Sequence, residues 1–168
     1  LLTSNSITSG YLDCTSLPGS YCPDQYAASH ACPISKYCPN RDMRSAIECP
    51  QGAYCDSSGL LIYTNCTAGT FNNISGSSDE TACRLCPSGS YCGPAAGQAN
   101  PTECAAGKFN NISGSTSPID CINCPLGEFC PQGSAYGDFC PPGTYNSIGN
   151  ATSVDGCTPC LAGYYNEQ

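Results

Sequence analysis

Three Cys-x-x-Cys pairs are the positions whose residue types and spacing are best suited to chemistry. The pairs are Cys83 with Cys86, Cys121 with Cys124, and Cys157 with Cys160. Thiolates at this spacing provide half of a tetrahedral zinc site, so the pairs are candidates for metal binding. The same spacing also arises where one disulfide-closed repeat ends and the next begins. We favour the second interpretation, because the chain also carries glycosylation signals, and we predict no metal or other cofactor.

Other side chains suited to catalysis are isolated in the sequence. His30 is the only histidine, and a Cys–His nucleophile needs a free thiolate in a pocket. Asp79 and Glu80 form a carboxylate pair in a polar stretch, where we expect surface charge rather than acid–base catalysis. The sequence contains no EF-hand, P-loop or Gly-x-Ser-x-Gly pattern. We therefore predict that the protein is not an enzyme.

Four Asn-x-Ser/Thr sequons are a stronger signal. Their asparagines are Asn65, Asn73, Asn111 and Asn150. This pattern is the acceptor for N-linked glycans in the secretory pathway. Together with 17 cysteines, the sequons predict a glycoprotein with an extracellular or cell-surface location.

The composition excludes several classes of protein. Among 168 residues there are 17 Cys, 18 Gly and 14 Pro, whereas Leu, Ile, Val and Phe together number 23. So few large apolar side chains cannot form the core of an α/β enzyme or a helical bundle, so disulfides must replace it. The net charge of −8 and the absence of a basic cluster argue against nucleic-acid binding. The longest aliphatic run, residues 60–62, is far shorter than the roughly 20 residues of a membrane span.

One short motif accounts for most of the cysteines. It reads Cys-x-x-Gly-x-aromatic, and its nine copies begin at residues 16, 32, 49, 66, 86, 104, 124, 140 and 160. The first copy is degenerate, because Ser16 stands in place of the cysteine. The aromatic position is filled by Tyr21, Tyr37, Tyr54, Phe71, Tyr91, Phe109, Phe129, Tyr145 and Tyr165. A spacing of 16 to 20 residues indicates a repeat architecture.

The copies are of two kinds, which differ in the position of the second cysteine. In the short units it directly follows the aromatic residue; these units begin at Cys32, Cys49, Cys86 and Cys124. In the long units, which begin at Cys66, Cys104 and Cys140, it lies seventeen residues after the first. The long units share an asparagine after the aromatic residue (Asn72, Asn110, Asn146) and an isoleucine two positions later (Ile74, Ile112, Ile148).

This order of units predicts the domain organisation. We expect an N-terminal lead-in at 1–13, irregular short units at 14–65, and two long-plus-short repeats at 66–103 and 104–139. A further long unit and the start of the next occupy 140–168.

The motif also predicts local structure. The glycine supplies a turn with positive φ, and the aromatic residue opens an extended stretch. We expect a small disulfide-rich fold, an elongated array of short β-hairpins with little or no helix. An aromatic ring laid across a disulfide would form a miniature core for each unit, and few large hydrophobic side chains would be exposed.

Two disulfide schemes satisfy the cysteine count. The first closes each unit on itself, by Cys14–Cys22, Cys32–Cys38, Cys49–Cys55, Cys66–Cys83, Cys86–Cys92, Cys104–Cys121, Cys124–Cys130 and Cys140–Cys157, and leaves Cys160 unpaired within this segment. The second ties neighbouring units by Cys22–Cys32, Cys38–Cys49, Cys55–Cys66, Cys92–Cys104 and Cys130–Cys140, adds a bond within each Cys-x-x-Cys pair, and leaves Cys14. We favour the first, because it does not require three tight Cys-x-x-Cys bridges.

The run Cys-x16-Cys-x2-Cys-x-x-Gly-x-aromatic resembles the ephrin-receptor-like cysteine-rich repeats, relatives of the growth-factor-receptor and TNF-receptor cysteine-rich modules. The resemblance covers residues 14–168 and is best over 66–168. It implies an extracellular, disulfide-laddered architecture of the kind found in receptor ectodomains, surface coats and protist flagellar-hair proteins. It implies no particular site, because a shared fold carries no function by itself.

These observations favour a structural role, as a glycosylated rod-like segment of a surface filament, flagellar hair or coat. We expect self-association or contact with neighbouring extracellular glycoproteins, and Cys160 is expected to pair with sequence beyond Gln168 or with another chain. The alternative is a ligand-binding or adhesion ectodomain of a cell-surface receptor. Its ligand surface would lie in residues 1–62 and use the non-repeat side chains Tyr11, Tyr26, Arg41, Met43 and Arg44.

Overall fold

The computed structural model of the protein describes residues 14–24 and 28–163. In these residues the secondary structure consists of sixteen two-residue β-strands, three short 3₁₀ turns and no α-helix. The strands form eight separate antiparallel hairpins. This confirms the predicted small disulfide-rich fold of repeated short hairpins.

Each hairpin is formed by the aromatic strand of one unit and the two residues before the next unit. In chain order the strand pairs are Ser20–Tyr21 with His30–Ala31 (β1, β2), Lys36–Tyr37 with Ile47–Glu48 (β3, β4), Ala53–Tyr54 with Thr64–Asn65 (β5, β6), Thr70–Phe71 with Arg84–Leu85 (β7, β8), Ser90–Tyr91 with Thr102–Glu103 (β9, β10), Lys108–Phe109 with Ile122–Asn123 (β11, β12), Glu128–Phe129 with Asp138–Phe139 (β13, β14), and Thr144–Tyr145 with Thr158–Pro159 (β15, β16). The register is the same throughout, as in Tyr37 opposite Ile47 and Phe109 opposite Ile122.

The turn before each aromatic strand requires a left-handed backbone. At the glycine position φ lies between 71° and 90° in all nine copies. Glycine adopts this conformation without the steric cost that a Cβ imposes. Ser35 occupies the position in the second copy and still has a φ of 71°.

The long units contain an additional element before their second cysteine. It is a single 3₁₀ turn, at Glu80–Ala82, Pro118–Asp120 and Val154–Gly156. The turn at Pro118–Asp120 is capped at its start, where the Ser117 hydroxyl accepts a hydrogen bond from the Ile119 amide and the Asp120 carboxylate accepts one from the Ser117 amide. Such side-chain caps satisfy backbone amides that a short helical turn leaves without partners.

The core consists of cystines rather than aromatic side chains. Among the described residues, the buried apolar positions are thirteen cysteines and Ala53. The aromatic side chains at the repeat position are only half-buried, and Tyr145 is exposed. Tyr37 shows their packing, because it lies against a cluster formed by Ala53 and the next unit's cystine, Cys49–Cys55.

Backbone hydrogen bonds link each unit to the next at repeated positions. In the units that begin at Cys104 and Cys124, Gly107 N–H donates to the Cys130 carbonyl at 2.8 Å, and Cys124 N–H donates to the Gly107 carbonyl at 2.9 Å. The residue after the aromatic donates into the next unit's loop, as from Asn110 to Ser134 at 3.1 Å. A loop residue donates back to the first cysteine, as from Gly133 to Cys104 at 2.9 Å.

The chain forms two compact bodies. One contains the described residues up to Asn65 together with Ile74–Ala82. The other contains Cys66–Asn73 and the described residues from Cys83 onward. The loop of the first long unit therefore belongs to a different body from the strands and disulfide that enclose it.

Candidate functional site: the outer surface of the long units

In two of the three Cys-x-x-Cys pairs the cysteines belong to different disulfides, and in the third Cys157 is disulfide-bonded whereas Cys160 is free within the described residues. The bonds are Cys14–Cys22, Cys32–Cys38, Cys49–Cys55, Cys66–Cys83, Cys86–Cys92, Cys104–Cys121, Cys124–Cys130 and Cys140–Cys157. Their Cα–Cα separations of 5.5 to 6.0 Å are those of ordinary disulfides. The two residues between the paired cysteines, for example Arg84–Leu85, form the returning strand of a hairpin. This is the unit-closing scheme that we favoured.

Oxidation of these cysteines removes the thiolates that a zinc site would require. Within residues 14–24 and 28–163, no cluster of three or more His, Cys, Asp or Glu side chains is arranged to hold a metal ion. Cys160 is half-buried and forms no disulfide with another described residue. Its backbone amide donates to the Gly143 carbonyl at 2.8 Å, the same bond that earlier units make.

The remaining candidates for catalysis lie on the surface. His30 is exposed on β2, with its ring centroid 6.0 Å from that of Tyr21. Asp79 and Glu80 are exposed at the 3₁₀ turn of the first long unit. Hydrogen bonds from the Thr81 hydroxyl and then from the Thr81 amide lower the pKa of Asp79 below its ordinary value. The Asp79 carboxylate therefore stabilises the turn. Its lowered pKa is the opposite of the raised pKa that a general acid needs.

All four sequon asparagines are exposed, but they occupy different backbone environments. Asn65 lies in β6. Asn150 has a φ of 56°, and its amide donates to the Cys124 carbonyl at 3.0 Å. At this loop position the first unit has Asp42, also with a φ of 56°, and the units between have glycine, as at Gly114 and Gly133, so asparagine at 150 also satisfies a backbone requirement.

A small cluster surrounds the sequon of the first long unit. Arg84 on β8 faces Phe71 on β7 across the hairpin. Its guanidinium carbon lies 5.2 Å from the centroid of the Phe71 ring, within cation–π distance. The same guanidinium donates to Asn73 Oδ1 at 2.9 Å. The ring and the asparagine side chain therefore lie on one side of this hairpin.

The structurally important residue of the long units is the asparagine after the aromatic. Asn72, Asn110 and Asn146 are buried, with 1%, 1% and 4% of their surface exposed. Asn110 Nδ2 donates to the Ser90 carbonyl of the preceding unit at 3.0 Å and to Ser115 Oγ at 2.8 Å. Its Oδ1 accepts from the Ile112 amide at 3.0 Å. Asn146 repeats the pattern with the Glu128 carbonyl and the Ile148 amide.

Sequence reasoning identified these asparagines as shared positions but gave them no role. The available signal was that the asparagine stands where a short unit has its second cysteine. A polar residue at a buried repeat position must be hydrogen-bonded, because an unpaired buried amide is costly.

The expectation of few exposed large hydrophobic side chains is wrong. Eighteen such residues are exposed in the described chain, including the shared isoleucines Ile74, Ile112 and Ile148 with 59%, 62% and 86% exposure. The physical reason is the size of the core. A cystine fills the interior of each unit, so no space is left for the side chains of two-residue strands.

An open depression of about 190 Å³ lies between a short and a long unit. It is lined by Tyr91, Glu103, Ala105, Lys108, Pro118 and Cys121. The cysteine is disulfide-bonded to Cys104, so this lining presents no thiol. A depression of this size is below the ordinary range for ligand pockets of about 300 to 1,000 Å³.

Three of the five residues predicted for a ligand surface fall within the described chain. Arg41 and Arg44 are exposed, and Met43 is half-buried with its carbonyl accepting from the Cys22 amide at 2.7 Å. Tyr11 and Tyr26 lie outside the described residues, as does Tyr165 of the repeat.

Comparison with protein-family models and with curated proteins finds no match for this chain. In the part of the chain that the structure describes, no helix has the length and apolar character needed to cross a membrane.

Proposed function

We propose that this protein is an extracellular glycosylated structural protein, forming a rod-like segment of a surface filament, flagellar hair or coat. The observation that carries the proposal is the reuse of one set of backbone hydrogen bonds between successive units. In three units the glycine N–H donates to the carbonyl at the same position of the next unit. The pairs are Gly19 with Cys38 at 2.8 Å, Gly107 with Cys130 at 2.8 Å, and Gly127 with Asn146 at 2.9 Å. A contact that any unit can make with the next suits an open-ended array.

The cystine core supports an extracellular location. Disulfides persist in oxidising compartments, and eight of them in a chain with few apolar residues are needed for folding. In the chain-entropy model a seventeen-residue closure contributes about 3 kcal/mol and a six-residue closure about 2 kcal/mol to stability. The resemblance to ephrin-receptor-like repeats agrees with this assignment and is part of the proposal.

Exposure of all four sequons supports glycosylation. Asn73 and Asn111 have the same place in two long units, so glycans there would recur along the array. Glycans would also cover part of the apolar surface that the cystine core leaves outside.

Small-angle X-ray scattering of the disulfide-intact, secreted protein tests the rod. A compact domain of 168 residues has a radius of gyration of about 15 Å, and an elongated array must exceed this clearly. A value close to the compact one would reject the rod. Electron microscopy with and without reductant tests assembly, and dispersed monomers in both conditions would count against a filament.

A second candidate is a ligand-binding or adhesion ectodomain. The exposed non-repeat side chains Arg41 and Arg44 favour it, since arginine is enriched among the residues that dominate binding interfaces. Binding of the monomeric protein to a cell surface, with no self-assembly, would support this candidate over the structural one.

A further inference from the structure

In two long units a half-buried aromatic residue stands two positions before the sequon asparagine. Phe71 stands two residues before Asn73, and Phe109 stands two residues before Asn111. In each case the intervening residue, Asn72 or Asn110, is turned inward and is 1% exposed. The residues on either side of it reach the surface, since Asn73 and Asn111 are exposed and Phe71 and Phe109 are half-buried.

The first long unit shows this placement directly. One guanidinium, that of Arg84, lies 5.2 Å from the Phe71 ring centroid and donates to Asn73 Oδ1 at 2.9 Å. A glycan is attached through the Nδ2 atom of asparagine, so the Oδ1 bond to Arg84 is compatible with modification. The bond would hold the carboxamide beside the ring.

The second long unit has the same residue types at the equivalent positions, Phe109 and Asn111, with a different neighbour opposite the ring. Ile122 stands opposite Phe109 where Arg84 stands opposite Phe71. Phe109 is only half-buried, and Ile122 is 52% exposed. Covering this apolar surface with the C–H groups of another molecule removes it from water, which is favourable.

We propose that Phe109 and Phe71 are the packing surfaces for the first N-acetylglucosamine of glycans on Asn111 and Asn73. The pyranose ring has an apolar C–H face, and an acetyl methyl group extends from it, so both can lie on an aromatic face. This inference rests on the proposed glycosylation and deepens it, since it assigns a protein contact to the sugar. At Asn73 the contact is shared with Arg84, which already covers part of the Phe71 ring.

The other two sequons differ. Asn150 has Ile148 two residues before it and therefore lacks an aromatic residue at that position. Asn65 follows Tyr63, but that ring packs edge-on against Tyr37 at 5.2 Å between centroids. Asn150 thus provides a control within the same molecule.

Nuclear magnetic resonance of the secreted protein tests the contact, after glycosidase trimming leaves one N-acetylglucosamine per site. Each sugar is assigned by its loss in Asn73→Gln, Asn111→Gln or Asn150→Gln. We expect ring-current upfield shifts of the sugar protons at Asn111 and smaller ones at Asn73, relative to the urea-unfolded protein, and none at Asn150. Phe109→Leu should abolish the Asn111 shift, and Phe71→Leu should abolish the Asn73 shift.

The outcomes separate the inference from the function on which it rests. A sugar that is present at Asn111 without an upfield shift, or whose shift survives Phe109→Leu, overturns the packing surface and leaves glycosylation standing. An Asn73 shift that survives Phe71→Leu overturns the role of Phe71. Intact mass without any glycan at Asn73 and Asn111 overturns both proposals. Leucine keeps an apolar side chain at 109, and an unchanged backbone amide spectrum verifies that this variant is folded.

Discussion

In a short unit the residue after the aromatic is a buried cysteine, whereas in a long unit it is a buried asparagine. Cys130 closes its unit covalently to Cys124. Asn110 instead hydrogen-bonds the preceding unit and its own loop, while Cys104 reaches forward seventeen residues to Cys121. The same interior position is thus filled by a covalent bond in one kind of unit and by an amide in the other.

The difference changes what each unit contributes. A short closure constrains the turn and the aromatic strand alone. In a long unit the residue after the aromatic is not part of a disulfide. The disulfide instead encloses an exposed loop, which carries the sequon at Asn73 or Asn111. The amide of the inward asparagine then organises that loop through the Ser115 hydroxyl and the Ile112 amide.

The largest expected effect comes from opening the closures. Removing the long closure by Cys104→Ala with Cys121→Ala should reduce the stability of its unit by about 3 kcal/mol, and removing the short closure by Cys124→Ala with Cys130→Ala by about 2 kcal/mol. The longer loop costs more because its closure restricts more conformations of the unfolded chain. Native-state hydrogen exchange of the amides in each unit measures both values, and an inverted order would contradict the comparison.

Replacing the buried asparagine comes next. Asn110→Ala leaves the Ser90 carbonyl and the Ile112 amide without their partner, so we expect a loss of about 2 to 3 kcal/mol. The neighbouring Asn111→Ala is the matched control, because Asn111 is exposed and should change stability by less than about 0.5 kcal/mol. Both variants are compared by chemical unfolding of unglycosylated protein. Equal effects would show that the buried amide does not organise the long unit.

The glycine position sharpens the comparison between regular and irregular units. A Cβ at Gly107 would lie 2.7 Å from the Asn150 carbonyl oxygen, which belongs to the unit two further along. Gly107→Ala should therefore cost about 2 kcal/mol, because it combines this clash with an unfavourable φ. Ser35→Gly should change stability by less than about 1 kcal/mol, since relief at φ 71° is offset by greater freedom of the unfolded chain. Thermal unfolding distinguishes the two, and a harmless Gly107→Ala would reject the close contact.

The smallest effect concerns how each long unit holds its loop. In the first long unit, hydrogen bonds from Thr81 lower the pKa of Asp79 below 3.8. A lowered folded-state pKa means that this stabilisation is present above about pH 4 and is lost as the pH falls through the folded-state pKa. Thr81→Val should bring the Asp79 pKa back toward its ordinary value. Carboxyl carbon NMR across the acidic range measures it, and an unchanged pKa would assign the shift to another cause.

Much of the covalent framework was predictable because it is local in sequence. Cys86 and Cys92 are six residues apart and Cys104 and Cys121 are seventeen apart, so the repeat spacing gave the unit-closing scheme, with the scheme that ties neighbouring units as its alternative. The hairpins were predictable for the same reason, since turn and strand lie within one motif. The glycan sites stay predictions that only chemistry on the secreted protein can test.

Other features depended on residues far apart in the chain. Asn110 meets Ser90 twenty residues earlier, and Gly19 meets the Gly59 carbonyl of a unit two repeats later. The exposure of the large hydrophobic side chains was predicted wrongly, because it depends on the space available in the interior, which the cystines occupy.

The sequence by itself determined the repeat and the turn chemistry and limited the disulfides to two schemes, because these follow from short-range covalent geometry. Only the tertiary structure decided that cystine sulfur would be the core, that the aromatic rings would stay half outside it, and that asparagine would replace a disulfide in the interior. The physical reason is that burial and hydrogen bonding depend on how successive units stack. Neither the spacing of the cysteines nor the identity of a single side chain predicts how the units stack.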